Sequence, residues 1–560
     1  MVSSLQDKPE AGAALISIRP RPRTRVSTTA PLKRALLSAA GCAALLIVDQ
    51  SAAWAACNLP AANDVTAICD GATTSRYGSG TETNGTITVN LSASLSVTGA
   101  YAIKFRSLTN VYNYGTITAT PSSTNVDSFA VSAGAGSATI NNYAAGFIKG
   151  SATGTGAATG LYGSGSVTIN DNAGSIMGTS TRGIGYGVYA SSSDLTVTSN
   201  SGSITGLSTF SSSNAAAYGL IANASSVTVG INTGTISGSA SGSGAAYGAY
   251  AGTSASITNT GPVSEISGLA SGSGAAYGVY VFGSTATINS NDGAIYGSSG
   301  TGAAYGVYSS GSASDIIVVS NANDIHGSNN AIATRAAGLY AAASNVTIGS
   351  NTGDIYGTST GGFAYGVYGG NSASVTNSGA ISGTTAGSGA AAGVYAFYAD
   401  ATLTNTGTGA VTAQATGSGA AYGVYAGGMA TVDNAATSSI TATASGGGDA
   451  YGIQASGDIT LINDGHMTAV ASTGSSYGVY GVFGGGGTVT VTNSGIIEAS
   501  SQRAAYGVFA STANVNNSGS ITAASSAGGA SFGISGYDAA VTNSGTISAT
   551  NGANGEATGV

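Results

Sequence analysis

The chain has 560 residues; only 6% are charged, 42% are hydrophobic and 90 are Gly. Low charge with high apolar content argues against ordinary disorder, and abundant Gly without a Gly-X-Y period, beside only 7 Pro, excludes collagen. Past residue 56 the chain carries 7 Lys and Arg against 19 Asp and Glu, a net −12 that repels phosphate backbones and argues against nucleic acid as a partner.

Residues 1–55 read as a long secretory signal region. Arg19, Arg21, Arg23, Arg25, Lys33 and Arg34 make a basic start. An apolar run of 14 follows, from Ala35 to Val48, and Ala53-Trp54-Ala55 fits a small-x-small cleavage site. That run is short for a membrane span. Cys42 leaves with the leader, so Cys57 and Cys69 remain in a segment, 56–98, expected as an N-terminal cap. In an exported chain this pair is expected to form a disulfide closing a small loop ahead of the first strand.

Residues 99–560 are one unit said over and over. Its Asn recurs at Asn113, Asn142, Asn172, Asn200, Asn232, Asn259, Asn291, Asn321, Asn351, Asn377, Asn405, Asn434, Asn463, Asn493, Asn517 and Asn543. A fixed period in this range means stacked repeats rather than several globular domains. In Val375-Thr-Asn-Ser-Gly-Ala-Ile381 both ends alternate apolar with small polar residues, the mark of a strand. The Asn-x-Gly between them reads as a tight turn in which Gly supplies a positive φ. Asn323 replaces that Gly in one copy, as a left-handed position would tolerate.

The other half of the unit is Tyr-Gly-Val-Tyr, as in Ala275-Ala-Tyr-Gly-Val-Tyr280. Its third residue is nearly always aliphatic and is expected inside; its fourth is variable and is expected outside. Each unit then has three short strands. The expectation is an all-β, single-stranded parallel β-helix of about 17 coils of about 28 residues, stacked at ~4.8 Å into a rod of roughly 80 Å. Stacking puts the Asn residues in one column, a structural ladder of side-chain amides. The variable Gly, Ser and Ala stretches, such as Ser239–Ala246, fall on one loop-bearing edge.

Catalytic or metal-binding arrangements are scarce. His326 and His466 lie about five coils apart and read as surface substitutions. Asp292, Asp324 and Asp354 fall near the same turn of three successive coils, where solvated turn aspartates are the plainer reading and a carboxylate pair the sharper one. No nucleophile elbow, P-loop, calcium repeat or metal spacing is present, so neither catalysis nor a cofactor is expected. The constructive feature is a fourth-position column of Tyr189, Tyr250, Tyr280, Tyr308, Tyr340, Tyr368, Tyr395, Tyr425 and Tyr480. Exposed, it would suit contact with sugars or protein; packed, it would stabilise the rod.

Repeats such as Val491-Thr-Asn-Ser-Gly-Ile-Ile and Tyr477-Gly-Val-Tyr, the long Arg-rich leader and the Cys pair behind it resemble the passenger of a bacterial autotransporter (type V secretion). The resemblance covers residues 30–560. It implies export through the inner membrane, display at the outer membrane or release, and an adhesin or structural stalk in cell attachment or aggregation. The implied partners are a host or neighbouring-cell surface glycan or protein and an outer-membrane translocator β-barrel. No membrane-strand pattern appears, and the chain stops at Ala557-Thr-Gly-Val560, where another Tyr-Gly-Val strand is due. The expectation is therefore a partial chain. The alternative is a β-helical polysaccharide lyase or hydrolase.

Overall fold

Period-2 sequence interrupted every few residues by Gly, Ser and Asn leaves no run long enough for a helix. The computed structural model describes residues 57–560 except 212, 213, 333, 482–486 and 553, and among them there are 53 strands and no helix. The signal region read over 1–55 lies outside the described residues.

Each turn lays down three strands. Ala276–Val281, Ala286–Asn291 and Ala294–Ser299 make one turn, and the next strand, Ala304–Ser309, returns to pair in parallel with the first. The strands accordingly form three parallel sheets: a tyrosine sheet of 17, an asparagine sheet of 18 and an isoleucine sheet of 18. This is the expected β-solenoid, and its asparagines mark fifteen turns of about 29 residues from Asn113 to Asn543.

Like packs on like inside. In the isoleucine sheet Ile266, Ile295, Ile325, Ile355 and Ile381 are register partners in succession. In the tyrosine sheet Val279, Val307, Leu339, Val367 and Val394 do the same. All ten are fully buried. Each such side chain contributes ~1.5–3 kcal/mol of burial.

The isoleucine and tyrosine sheets meet in a much thinner seam. Two residues after the Ile column the chain has Gly268, Gly297, Gly327, Gly357 and Gly383, then Ala413, Ala442, Ala469, Ala499 and Ala523. A Cβ on Gly297 would lie 2.3 Å from the Ala276 carbonyl oxygen and 2.4 Å from that of Tyr305. The seam is thus backbone against backbone in the earlier turns and is packed by alanine in the later ones.

The turn glycines have a different cause from the expected one. In the short turns, such as Asn351-Thr-Gly353 and Asn377-Ser-Gly379, φ is not positive; among the Asn-x-Gly glycines it is positive only at Gly261 and Gly407, in longer turns. Asn323 likewise has no left-handed backbone. Stacking is what demands Gly: a Cβ on Gly379 would sit 2.2 Å from the Gly353 carbonyl oxygen of the preceding turn. Asn323 fits at this position and donates its side-chain amide to the Asp292 carbonyl at 3.0 Å.

At the N-terminal end Thr66–Cys69 already pairs with Gly85–Val89, so residues of the 56–98 segment belong to the asparagine sheet. Cys57 and Cys69 are disulfide-bonded, and Cys69 is the last residue of that strand. The closed loop therefore contains the first strand instead of preceding it.

Candidate binding surface

Two columns run the length of the solenoid, one of amides and one of rings. The amide column is buried. From Asn113 to Asn493 the side chains are at most 1% exposed, at the corner where the asparagine sheet ends. Asn113 Nδ2 donates to Asn142 Oδ1 at 2.8 Å, Asn142 to Asn172 at 2.7 Å, and so on in one sense along the rod. The same bond joins Asn259 to Asn291, Asn321 to Asn351, Asn351 to Asn377, Asn377 to Asn405, Asn405 to Asn434, Asn434 to Asn463, Asn463 to Asn493, Asn493 to Asn517 and Asn517 to Asn543. The second hydrogen finds backbone: Asn351 donates to the Gly353 carbonyl at 3.0 Å and Asn377 to that of Gly379 at 3.0 Å. With both hydrogens and the oxygen occupied, these amides are placed to hold the corner together and are closed to ligands.

The ring column is not a single exposed strip. Tyr340 and Tyr368 are buried, and Tyr189, Tyr250, Tyr280, Tyr308, Tyr395, Tyr425 and Tyr480 are half-buried. The cause is a second column that the sequence reading left unassigned. In each Tyr-Gly-Val-Tyr strand the Gly and the Val both face inward and both tyrosines face out. Strict alternation fails at the Gly, which takes no register partner while its neighbours do. A Cβ on Gly278 would lie 2.9 Å from Ile295 Cγ2, so the chain presses against the isoleucine column there and bends. The Tyr-x-x-Tyr spacing around an invariable small residue was the available signal.

Within each column the rings stack face to face from turn to turn. Tyr218, Tyr247 and Tyr277 have centroids 4.7 and 5.0 Å apart and planes within 6°. Tyr250, Tyr280 and Tyr308 stack at 5.0 and 5.2 Å. Between columns contact is mostly edge-on or tilted, as for Tyr277 and Tyr280 at 5.0 Å and 80° and Tyr305 and Tyr308 at 4.8 Å and 49°. Each pair adds ~0.5–1.5 kcal/mol beyond burial, and what remains open to solvent is ring edges and hydroxyls. Burial holds the phenols of Tyr308, Tyr422 and Tyr477 up at about 12, and those of Tyr218, Tyr247, Tyr277 and Tyr305 well above the ordinary tyrosine range. Aromatic exposure is greater at one corner beside this sheet, where Phe397, Tyr398 and Met429 project from neighbouring turns. Phe397 lies 6.4 Å from both Tyr368 and Tyr395.

The charged candidates lie on the isoleucine sheet. Asp324 and Asp354 fall in the same column of adjacent turns, one residue before the paired Ile325 and Ile355. Asp292 is out of that column by two positions, because Ala294 is the residue opposite Asp324. Burial, and then the Asp324 charge, raise the Asp354 carboxyl above its usual range. His326 is no ordinary surface residue. Its ring is sandwiched between Tyr296 at 4.9 Å and Tyr356 at 4.5 Å, each within 5° of parallel. Burial lowers its pKa to about 4, and Nδ1 has no hydrogen-bond partner among the described residues. His466 lies 3.7 Å from Glu498 at the surface, far along the rod from His326. Among the described residues no three His, Cys, Asp or Glu converge as metal ligands.

Comparison of the chain with known protein families, with curated proteins and with solved structures finds no match.

Proposed function

We propose that this chain is the surface-displayed or secreted passenger of an exported, autotransporter-like protein, and that it works as a stalk or adhesin. Its partner on this reading is a glycan or protein of a host or neighbouring cell, and a translocator β-barrel carries it across the outer membrane. The observation that supports the reading is the double tyrosine column, which gives one flank an unbroken series of ring edges and hydroxyls from Tyr186 to Tyr308. Such amphipathic edges suit sugar and protein contact.

The test is attachment of the exported protein to target cells, before and after changing Tyr250, Tyr280 and Tyr308 to Ser. Attachment should fall while circular dichroism keeps its β form. Undiminished attachment by a folded triple variant removes the tyrosine flank from the argument. A glycan-cleaving reading is favoured only by the aligned Asp324 and Asp354 beside the Tyr296, His326 and Tyr356 rings. Depolymerisation of a polysaccharide that stops in Asp354→Asn would establish it.

A further inference from the structure

The first tyrosine column is interrupted at Ala337 and again at Ala392, and at the Ala337 turn a cation enters. Ala337 stands where the turns on either side have Tyr305 and Tyr365. The first column lacks a ring there. Tyr340 keeps its place in the second column, within 5° of Tyr308 and Tyr368, with Tyr305 at 5.1 Å and Tyr365 at 6.4 Å across the gap. Arg335 folds across it: Nη1 donates to the Tyr340 hydroxyl at 2.9 Å, and the guanidinium carbon is 5.8 Å from the ring centroid.

Arg335 is the sole Lys or Arg between Arg182 and Arg503. Among the described residues no carboxylate pairs with it. An arginine held by a phenol and left without an acid keeps most of its donor fork for something else. Its neighbour is a ring stacked on Tyr365 at 6.2 Å, with its other side toward solvent. Ala336 pairs with Ala364, so Arg335 sits beside Phe363 of the next turn, which is 41% exposed.

We propose that Arg335 and Phe363 form a subsite for a carboxylate-bearing pyranose, a uronic-acid type of residue in an acidic glycan. The planar fork takes the carboxylate in two parallel hydrogen bonds, and the Phe363 face takes the apolar side of the sugar ring. The surface supplies one cation only, so the site takes one carboxylate at a time, and the ring beside it distinguishes a sugar acid from an acidic peptide. The assignment rests on the adhesin reading above and names its ligand class.

The experiment measures binding of the full exported chain to polygalacturonate oligosaccharides, with dextran as the neutral probe and polyglutamate as the acidic-peptide probe. The proposal expects binding to polygalacturonate alone. Arg335→Gln should weaken it ~10- to 100-fold, the worth of a charge-assisted hydrogen bond, and raised salt should weaken it too. Phe363→Ser should weaken it independently, with circular dichroism unchanged in both variants. Equal affinity for dextran, preference for polyglutamate, or undiminished binding by folded Arg335→Gln overturns the subsite. If cells attach through Tyr250, Tyr280 and Tyr308 while uronate is ignored, the subsite falls and the adhesin reading stands. If uronate binding needs Arg335 but attachment ignores the tyrosines, the subsite stands without that reading.

Discussion

Replacing Asn351 by Ala should cut the amide ladder in the middle. Asn351 accepts from Asn321 Nδ2 at 2.7 Å and donates to Asn377 Oδ1 at 2.7 Å and to the Gly353 carbonyl at 3.0 Å. The site is 1% exposed, so water does not replace the lost partners. Asn321 keeps its bond to the Asn323 carbonyl at 2.7 Å but loses the use of its other hydrogen, and Asn377 Oδ1 loses its ladder donor. Two stranded groups at ~1–3 kcal/mol each give a local cost of about 4 kcal/mol. Asn543→Ala, at an exposed position, deprives only Asn517 and should cost at most ~1 kcal/mol. Each turn touches only its neighbours, so hydrogen exchange is a better assay than a global melting point. The amides of Thr352 and Gly353, bonded to the Asn321 carbonyl, and of Ser378 and Gly379, bonded to that of Asn351, should exchange about a thousandfold faster. Those of Ser518 and Gly519, on the Asn493 carbonyl, should not change. If Asn351→Ala speeds exchange no more than Asn543→Ala, the ladder does not hold the corner and the reasoning is wrong.

Gly297→Ala should destabilise by ~1–3 kcal/mol in urea unfolding, because its methyl meets two carbonyl oxygens in the seam, whereas Ala442→Gly in the alanine-packed part should cost about 1 kcal/mol for lost packing and backbone entropy. His326 should make the rod sensitive to acid. Its folded pKa is about 4 against 6.5 unfolded, so the unfolded chain takes up the proton first, and stability present above pH 6.5 is lost progressively as pH falls toward 4. His326→Phe, which keeps a ring between Tyr296 and Tyr356, should flatten that slope; an unchanged slope in pH-dependent urea midpoints refutes the assignment. The tyrosine columns should fail in alkali. Phenols raised from 10.0 to about 12, as at Tyr308 and Tyr422, leave stability intact below pH 10 and remove it as pH climbs through 12, so phenolate absorbance should rise together with loss of the β spectrum. Phenolate formation complete before the β spectrum changes would show that the rings are open to solvent.

The sequence by itself determined the architecture. Sixteen asparagines at a near-constant period, an aliphatic third position in Tyr-Gly-Val-Tyr and an apolar residue after each Asn-x-Gly turn leave few alternatives to stacked β-turns, since only like-on-like stacking buries these recurring Val and Ile positions. What tertiary structure decided concerns neighbours that the period does not reveal. The short-turn glycines are required by the carbonyl of the turn beneath and not by their own φ, a contact between residues such as Gly379 and Gly353 that are distant in sequence. The first tyrosine of each strand faces out because the Gly after it is pressed against an isoleucine of another sheet, which breaks the alternation that sequence reasoning relies on. Arg335 becomes interesting only when Ala337, Tyr340 and Phe363 are seen around it. Periodicity encodes which face a residue takes along one strand; which rings and carbonyls then meet is set by the ~4.8 Å stacking of different turns, and only the fold supplies that.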